Sequence, residues 1–184
     1  MGEPKRAYSC SFRGLRPEQL PAPEEVIKRV AEYAIQKAIS EGYKVFITIP
    51  DPGFETWSAE IVLKLRETNP QIKLECFLPY EGYQNKYRKA QREEVNEILQ
   101  KADKITYQDK LKEKTRYSIY RAHTELMFRT SLAILYYDQR GHGYVADFTY
   151  RCLRIPKWDV YNITSDANNI DRVEQYGELL QKEC

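Results

Sequence analysis

The chain has no CxxC spacing, no apolar run long enough to span a membrane, and no large surplus of either charge. Each absence excludes a class of function. The four cysteines, Cys10, Cys76, Cys152 and Cys184, are widely separated and lack a nearby histidine partner. That argues against a zinc site and against a disulfide framework. Cys10 and Cys76 fall inside predicted strands, so buried free thiols in a reducing compartment are the expectation. With no spanning segment and no signal-peptide pattern, the expected location is the cytoplasm, with no membrane partner. The 29 basic and 27 acidic residues are well mixed and leave a net charge of +2. Bulk electrostatics therefore point neither to nucleic acid nor to a strongly acidic partner. No metal and no cofactor are expected.

What is present is ordinary for a globular protein: 184 residues, 42% hydrophobic and 30% charged, enough for one domain with a sizeable core. Tyrosine is unusual, with 15 residues spread along the chain. Half-buried helix faces and strand ends are the simplest use for them.

The pattern alternates strand and helix. Tyr8–Phe12 reads as a strand ending in a Gly/Pro turn. A helix follows Pro23, with Glu24 and Glu25 matching its dipole and Gly42 closing it. Val45–Ile49 is a second strand, and a helix after Gly53 runs to Asn69-Pro70. Ile72–Leu78 is a third strand, followed by a polar helix from about Asn85 to Lys101. Lys104–Tyr107 is a fourth, and 108–115 a charged loop. The next helix, Arg116 to Phe128, has Ile119, Ala122, His123, Leu126 and Met127 on one face. Leu132–Tyr137 is nearly all apolar, as in a central parallel strand buried on both sides. A short helix to Leu153, a strand at Val160–Ile163 and a polar tail from 165 to 184 complete the chain. This alternation predicts a single Rossmann-like α/β domain over 1–184, with its core in 7–163. Its mostly parallel sheet should have about six strands, with helices on both faces and ligands at the strands' carboxyl ends.

The pivotal stretch is Phe46–Glu60, FITIPDPGFETWSAE: a strand, a Pro/Gly turn and a helix start. Such a joint commonly holds phosphate or nucleotide groups. Here Pro50 and Pro52 each remove an N–H donor, and Ile49 adds bulk.

Four segments in register, Tyr8–Pro17, Gly53–Glu60, Ile72–Pro79 and Ile134–Asp138, resemble the YpsA-like branch of the SLOG superfamily. These Rossmann-like proteins are related to cytokinin-releasing phosphoribohydrolases and to the DNA-processing protein DprA. The resemblance spans about Ala7 to Ile163. It implies a pocket for a nucleotide or nucleotide-derived ligand, built from the loops after the first, second and fifth strands. The family's first loop usually reads G-H-R-P; Gly14, Arg16 and Pro17 match it and Leu15 replaces the histidine. Its second loop usually reads S-G-G-x-x-G-x-D. Thr48, Gly53 and Glu55 stand at the outer Ser, last Gly and Asp, while Ile49 and Pro50 replace the glycine pair. Ala122 and His123 stand where the family has Arg-Asn. Asp138 and Gly143 match the Asp and second Gly of the turn after the fifth strand, with His142 and Tyr144 replacing the first Gly and the Thr.

These residues give the expected site. Arg16 would hold an anionic group. Glu55 would contact a ribose hydroxyl or act as a general acid/base; a helix-start carboxylate satisfied by the dipole is the plainer alternative. Thr48 and Asp51 would hydrogen-bond the ligand, Phe54 and Tyr80 would stack on a base, and His123 and His142 would bind anion or shuttle a proton. Trp57 is expected in the core. Lys86-Tyr87-Arg88-Lys89 with Arg92 has the interleaving of a nucleic-acid contact, but Glu93, Glu94 and Glu97 favour a solvated helix face. The leading expectation is binding or sensing of a nucleotide or nucleotide sugar resembling ADP-ribose, with little or no catalysis. Hydrolysis of an N-glycosidic bond in nucleoside monophosphates and a DprA-like nucleic-acid module are the alternatives. A homodimer is also expected, since dimers are common among such relatives.

Overall fold

The computed structural model describes residues 7–14, 22–108, 116–136 and 159–163. Six strands form one parallel sheet in the order β4-β3-β2-β1-β5-β6. They are β1 (Ser9–Gly14), β2 (Val45–Thr48), β3 (Lys73–Leu78), β4 (Lys104–Tyr107), β5 (Leu132–Tyr136) and β6 (Asp159–Asn162). The helices are α1 (Glu24–Ser40), α2 (Phe54–Thr68), α3 (Lys89–Lys101) and α4 (Arg116–Arg129). The Rossmann-like α/β expectation is borne out.

The chain steps outward from β1 through β2 and β3 to β4, then returns to lay β5 on the other side of β1. Right-handed crossovers make this reversal move the helices to the opposite face. Accordingly α1, α2 and α3 share one core with Cys10, Phe12, Phe46, Leu74, Leu132 and Ile134. Helix α4 instead packs Ala122 and Leu126 against Ile47 and Phe77. Alternate strand residues feed the two layers because successive side chains point to opposite faces.

Helix α1 forms because Ile27, Val30, Ala31, Ala34, Ile35 and Ala38 repeat at helical spacing and are all buried. It closes with the Tyr43 N–H on the Ala38 carbonyl and the Gly42 N–H on that of Ile39, both at 3.0 Å. Strand β5 is buried at every position, as its apolar run requires. Cys10 and Cys76 are free and buried, and burial pushes the Cys76 thiol up to about 12.

One element differs from expectation. The polar helix does not begin near Asn85; a 3₁₀ turn at Tyr83–Lys86 precedes α3, and Tyr87 and Arg88 are extended between them. The hydroxyls of Tyr83 and Tyr87 both reach Asp51. The irregular backbone delivers those two rings to the strand ends, which a continuous α-helix from Asn85 would not do. The expected short helix to Leu153 and the tail lie outside the described residues, as do Cys152 and Cys184. Among the described residues no helix is long and apolar enough to cross a membrane.

Candidate functional site

Strand β1 ends in Arg13 and Gly14, and each has a distinct structural task. Glycine at position 14 permits a close approach: a Cβ there would meet the Phe54 Cβ at 2.3 Å. The start of α2 can therefore lie directly on the end of β1. Gly53 immediately precedes α2 with φ +113° and ψ −131°, a region essentially restricted to glycine. Its N–H donates to the Thr56 Oγ1 at 3.1 Å, and the Thr56 N–H returns to the Asp51 carbonyl at 3.3 Å. This turn carries Asp51 and Glu55 onto β1.

There the two carboxylates meet Arg13. Its Nη1 donates to Glu55 Oε1 at 2.6 Å and to Asp51 Oδ2 at 3.3 Å. The Gly14 N–H also donates to Glu55 Oε1, at 3.3 Å. On its other side, Asp51 Oδ1 accepts from the Tyr83 hydroxyl at 2.8 Å and from the Tyr87 hydroxyl. Lys86 Nζ lies 3.9 Å from the same oxygen and 3.5 Å from the centre of the Tyr83 ring. His123 Nε2, on α4, stands 3.9 Å from Asp51 Oδ2. The Arg13 and Glu55 side chains are only 6% and 3% exposed, whereas that of Asp51 is 18% exposed. Asp51 and Lys86, the latter 32% exposed, thus form the face of the cluster that solvent reaches.

Burial and charge divide the labour of the two acids. Burial would raise Asp51, but the positive charges of Arg13 and Lys86 outweigh it and hold Asp51 well below the usual carboxylate range. Glu55 goes the other way: burial, with the Asp51 charge close by, outweighs Arg13 and raises it to about 7. Burial, aided by Arg13, drives His123 down, so its imidazole is neutral. Burial and the Asp51 charge raise Tyr83 and Tyr87, which stay protonated as donors. The site therefore has a fixed anion, a second acid that titrates near neutrality and a neutral imidazole.

The sequence-predicted residues fall into four groups. Asp51, Glu55 and His123 come together, with Gly14 and Gly53 shaping the backbone around them. Thr48 ends β2, fully buried, and its Oγ1 has no hydrogen-bond partner among the described residues. Phe54 and Tyr80 are not open stacking platforms. Phe54 is fully buried beside Gly14 and Tyr136, and Tyr80 is buried edge-on against Tyr83. Arg16, Pro17, Asp138, His142 and Gly143 lie outside the described residues. Trp57 is in the core, as expected.

Arg13, Tyr83, Lys86 and Tyr87 were missed. Arg13 carried a legible signal: an arginine inside the apolar strand SCSFRG must be paired once that strand is buried. The sequence favours a solvated helix face for Lys86 and Tyr87, whereas in the structure both join the cluster. A lysine and a tyrosine in a polar stretch are equally compatible with either place. Among the described residues no group of three or more His, Cys, Asp or Glu would hold a metal ion.

The parallel sheet with its order reversing at β1 defines a Rossmann-like protein, and the charged cluster at the carboxyl ends beside that reversal is its candidate site. The chain matches the YpsA model of the YspA SLOG family over residues 19–166, and it belongs to that family. It is 35% identical over 77 residues to a UPF0398 protein of Halalkalibacterium halodurans, covering 42% of this chain and 41% of that protein. A UPF0398 protein of Ligilactobacillus salivarius is 27% identical over 119 residues, 65% of each chain. One from Staphylococcus epidermidis is 24% identical over 161 residues, 87% of this chain and 85% of that one. The first two matches thus span less than two thirds of those relatives.

Proposed function

We propose that the chain binds or senses a nucleotide or nucleotide-derived ligand, of the ADP-ribose kind, at the carboxyl ends of β1, β2 and β3, with little or no catalysis. The observation that carries this reading is the Arg13–Asp51–Glu55 cluster, buried at three adjoining backbone ends beside the strand-order reversal. Sites in open α/β sheets form there, and buried charge is costly enough that a fold rarely keeps it idle. Loss of the glycine pair at 49 and 50 supports binding over efficient turnover. A cytoplasmic setting accords with the buried free thiols of Cys10 and Cys76.

The test is thermal unfolding of the full chain against a millimolar panel of nucleoside mono- and diphosphates, ADP-ribose and nucleosides. A ligand that binds only the native state raises the melting temperature in proportion to ln(1 + [L]/Kd). A panel that leaves it unmoved ends the proposal.

One observation favours a second reading, hydrolysis of an N-glycosidic bond. Glu55, raised to about 7, is an acid able to give a proton to a departing base near neutral pH. Release of free base from a nucleoside monophosphate, abolished in Glu55→Gln, is its expected signature. No release from any nucleotide excludes it.

A further inference from the structure

The two acids of the cluster are unequally supplied with donors. One oxygen of Asp51 accepts from Tyr83 and Tyr87, with Lys86 Nζ 3.9 Å away; the other accepts from Arg13 at 3.3 Å, with His123 Nε2 at 3.9 Å. Glu55 Oε1 has the Arg13 Nη1 at 2.6 Å and the Gly14 N–H at 3.3 Å. Both carboxylates therefore lean on one guanidinium nitrogen. Among the described residues Glu55 has no second cation within ion-pair distance, and its side chain is buried.

The net charge of the cluster turns on that one acid. With Glu55 ionised, two carboxylates face Arg13 and Lys86, and a further anion would leave surplus negative charge. With Glu55 protonated, the same residues carry one net positive charge, which an arriving anion balances. Arg13 also keeps a donor in hand: its buried Nε has no hydrogen-bond partner among the described residues. The charge of Asp51 already pushes Glu55 upward, and a second negative charge beside Asp51 acts in the same sense. The neighbours of Glu55 accept a proton less readily. Asp51 is held low by Arg13 and Lys86, and Tyr83 and Tyr87 of the 3₁₀ turn are protonated already. His123 on α4 must climb from well below its ordinary value. Glu94 on α3 reaches Thr56 but lies among Lys28, Glu24 and Glu60, and Tyr136 of β5 packs on Phe54.

We infer that an anionic group of the nucleotide binds at the face formed by Asp51 and Lys86, beside Arg13, and that its arrival draws one proton from solvent onto Glu55. This rests on the nucleotide-binding reading above and adds its regulation: the site takes up ligand and proton together. The direction of the pH dependence follows. Below about 7 Glu55 already holds its proton, and binding requires nothing more of it. Above that, each binding event must collect a proton, so affinity falls as pH rises, by up to about tenfold per unit.

Calorimetric titration of the full chain with ADP-ribose, repeated in buffers of different ionisation enthalpy, measures the protons taken up. ADP-ribose has no phosphate that titrates near neutral pH, so the proton measured belongs to the protein. A Glu55 near 7 that is fully protonated in the complex should take up about three-quarters of a proton at pH 7.5 and almost none at pH 5.5. Glu55→Gln keeps the shape of the protonated acid. It should take up no proton and bind ADP-ribose about tenfold more tightly than the unaltered chain at pH 8, and equally at pH 5.5. Adenosine lacks the anion and should draw no proton. Binding of ADP-ribose without proton uptake at pH 7.5 overturns the inference and leaves nucleotide binding intact. An equal uptake with adenosine overturns it too, as does uptake that persists in Glu55→Gln and so belongs to another group such as His123. If that variant fails to fold, the measurement on the unaltered chain decides alone. Where ADP-ribose does not bind and another nucleotide of the panel does, the same measurement with that nucleotide at pH 7.5, where its phosphate is already ionised, decides. If no member of the panel binds, the functional reading falls and the inference with it.

Discussion

The sheet face under α1, α2 and α3 is lined by Cys10, Phe12, Phe46, Leu74, Leu132 and Ile134. The face toward α4 carries Ser11 and Arg13 on the same strand as Cys10 and Phe12, with Thr130 and His123 opposite. On the first face apolar area leaves water and little else is required, so Phe12 and Phe46 stack with ring centres 5.9 Å apart. On the second, each buried polar group requires a partner. Ser11 Oγ meets Thr130 Oγ1 at 3.0 Å, and Arg13 takes both carboxylates. One β-strand therefore feeds the dry core with Cys10 and Phe12 and the polar face with Ser11 and Arg13.

Breaking the dry face should have the largest effect. Phe46→Ala removes a fully buried ring and should cost about 3–5 kcal/mol in chemical denaturation, by lost transfer energy plus the cavity left behind. That cost should be nearly the same at pH 5 and pH 8, since no titrating group is involved.

On the polar face Arg13→Met tests the opposite behaviour. Removing the guanidinium leaves Glu55 buried without its cation and Asp51 with only Lys86, a loss of about 3 kcal/mol at pH 8. The cost should shrink toward pH 5, where the carboxyls can take up protons. A penalty independent of pH would show that Arg13 acts there through packing alone.

The smallest effect sharpens the contrast within the site. Glu55 has its folded pKa raised to about 7 from an ordinary 4.5, so the native state binds the extra proton between those values. Its contribution is complete below about pH 4.5 and is lost as pH rises through about 7, by at most about 1.4 kcal/mol per pH unit. Asp51, held low, contributes in the other sense: its share is present above its ordinary 3.8 and fades only in acid. Glu55→Gln should therefore flatten the decline in unfolding free energy between pH 5 and pH 7. An unchanged slope in that variant assigns the decline to another group.

Much of the architecture was legible because burial leaves periodic traces. The helical repeat of α1 and the apolar run of β5 each predict their element to within a residue or two. Strand β4 was legible as well, although it lies at the sheet edge with Ile105 and Tyr107 exposed. The break at Tyr87 and Arg88 was not, because the cause is a pair of hydroxyls reaching Asp51 from 32 and 36 residues away. The same holds for Phe54. Its position near a strand end suggested a ring open to a ligand, yet Gly14 lets that ring settle into the core.

By itself the sequence determined the alternation of elements and the strand-to-helix joint at FITIPDPGFETWSAE, whose two prolines offer no N–H. These follow from side-chain periodicity and from prolines that carry no N–H, properties local to a few residues. Only the tertiary structure decided which side chains gather at that joint. Strand order set β1 beside β2, the turn at Gly53 swung Glu55 onto Arg13, and the 3₁₀ segment brought Tyr83, Lys86 and Tyr87 to Asp51. Those partners are far apart along the chain, and electrostatic pairing depends on distance in space, which no local pattern encodes.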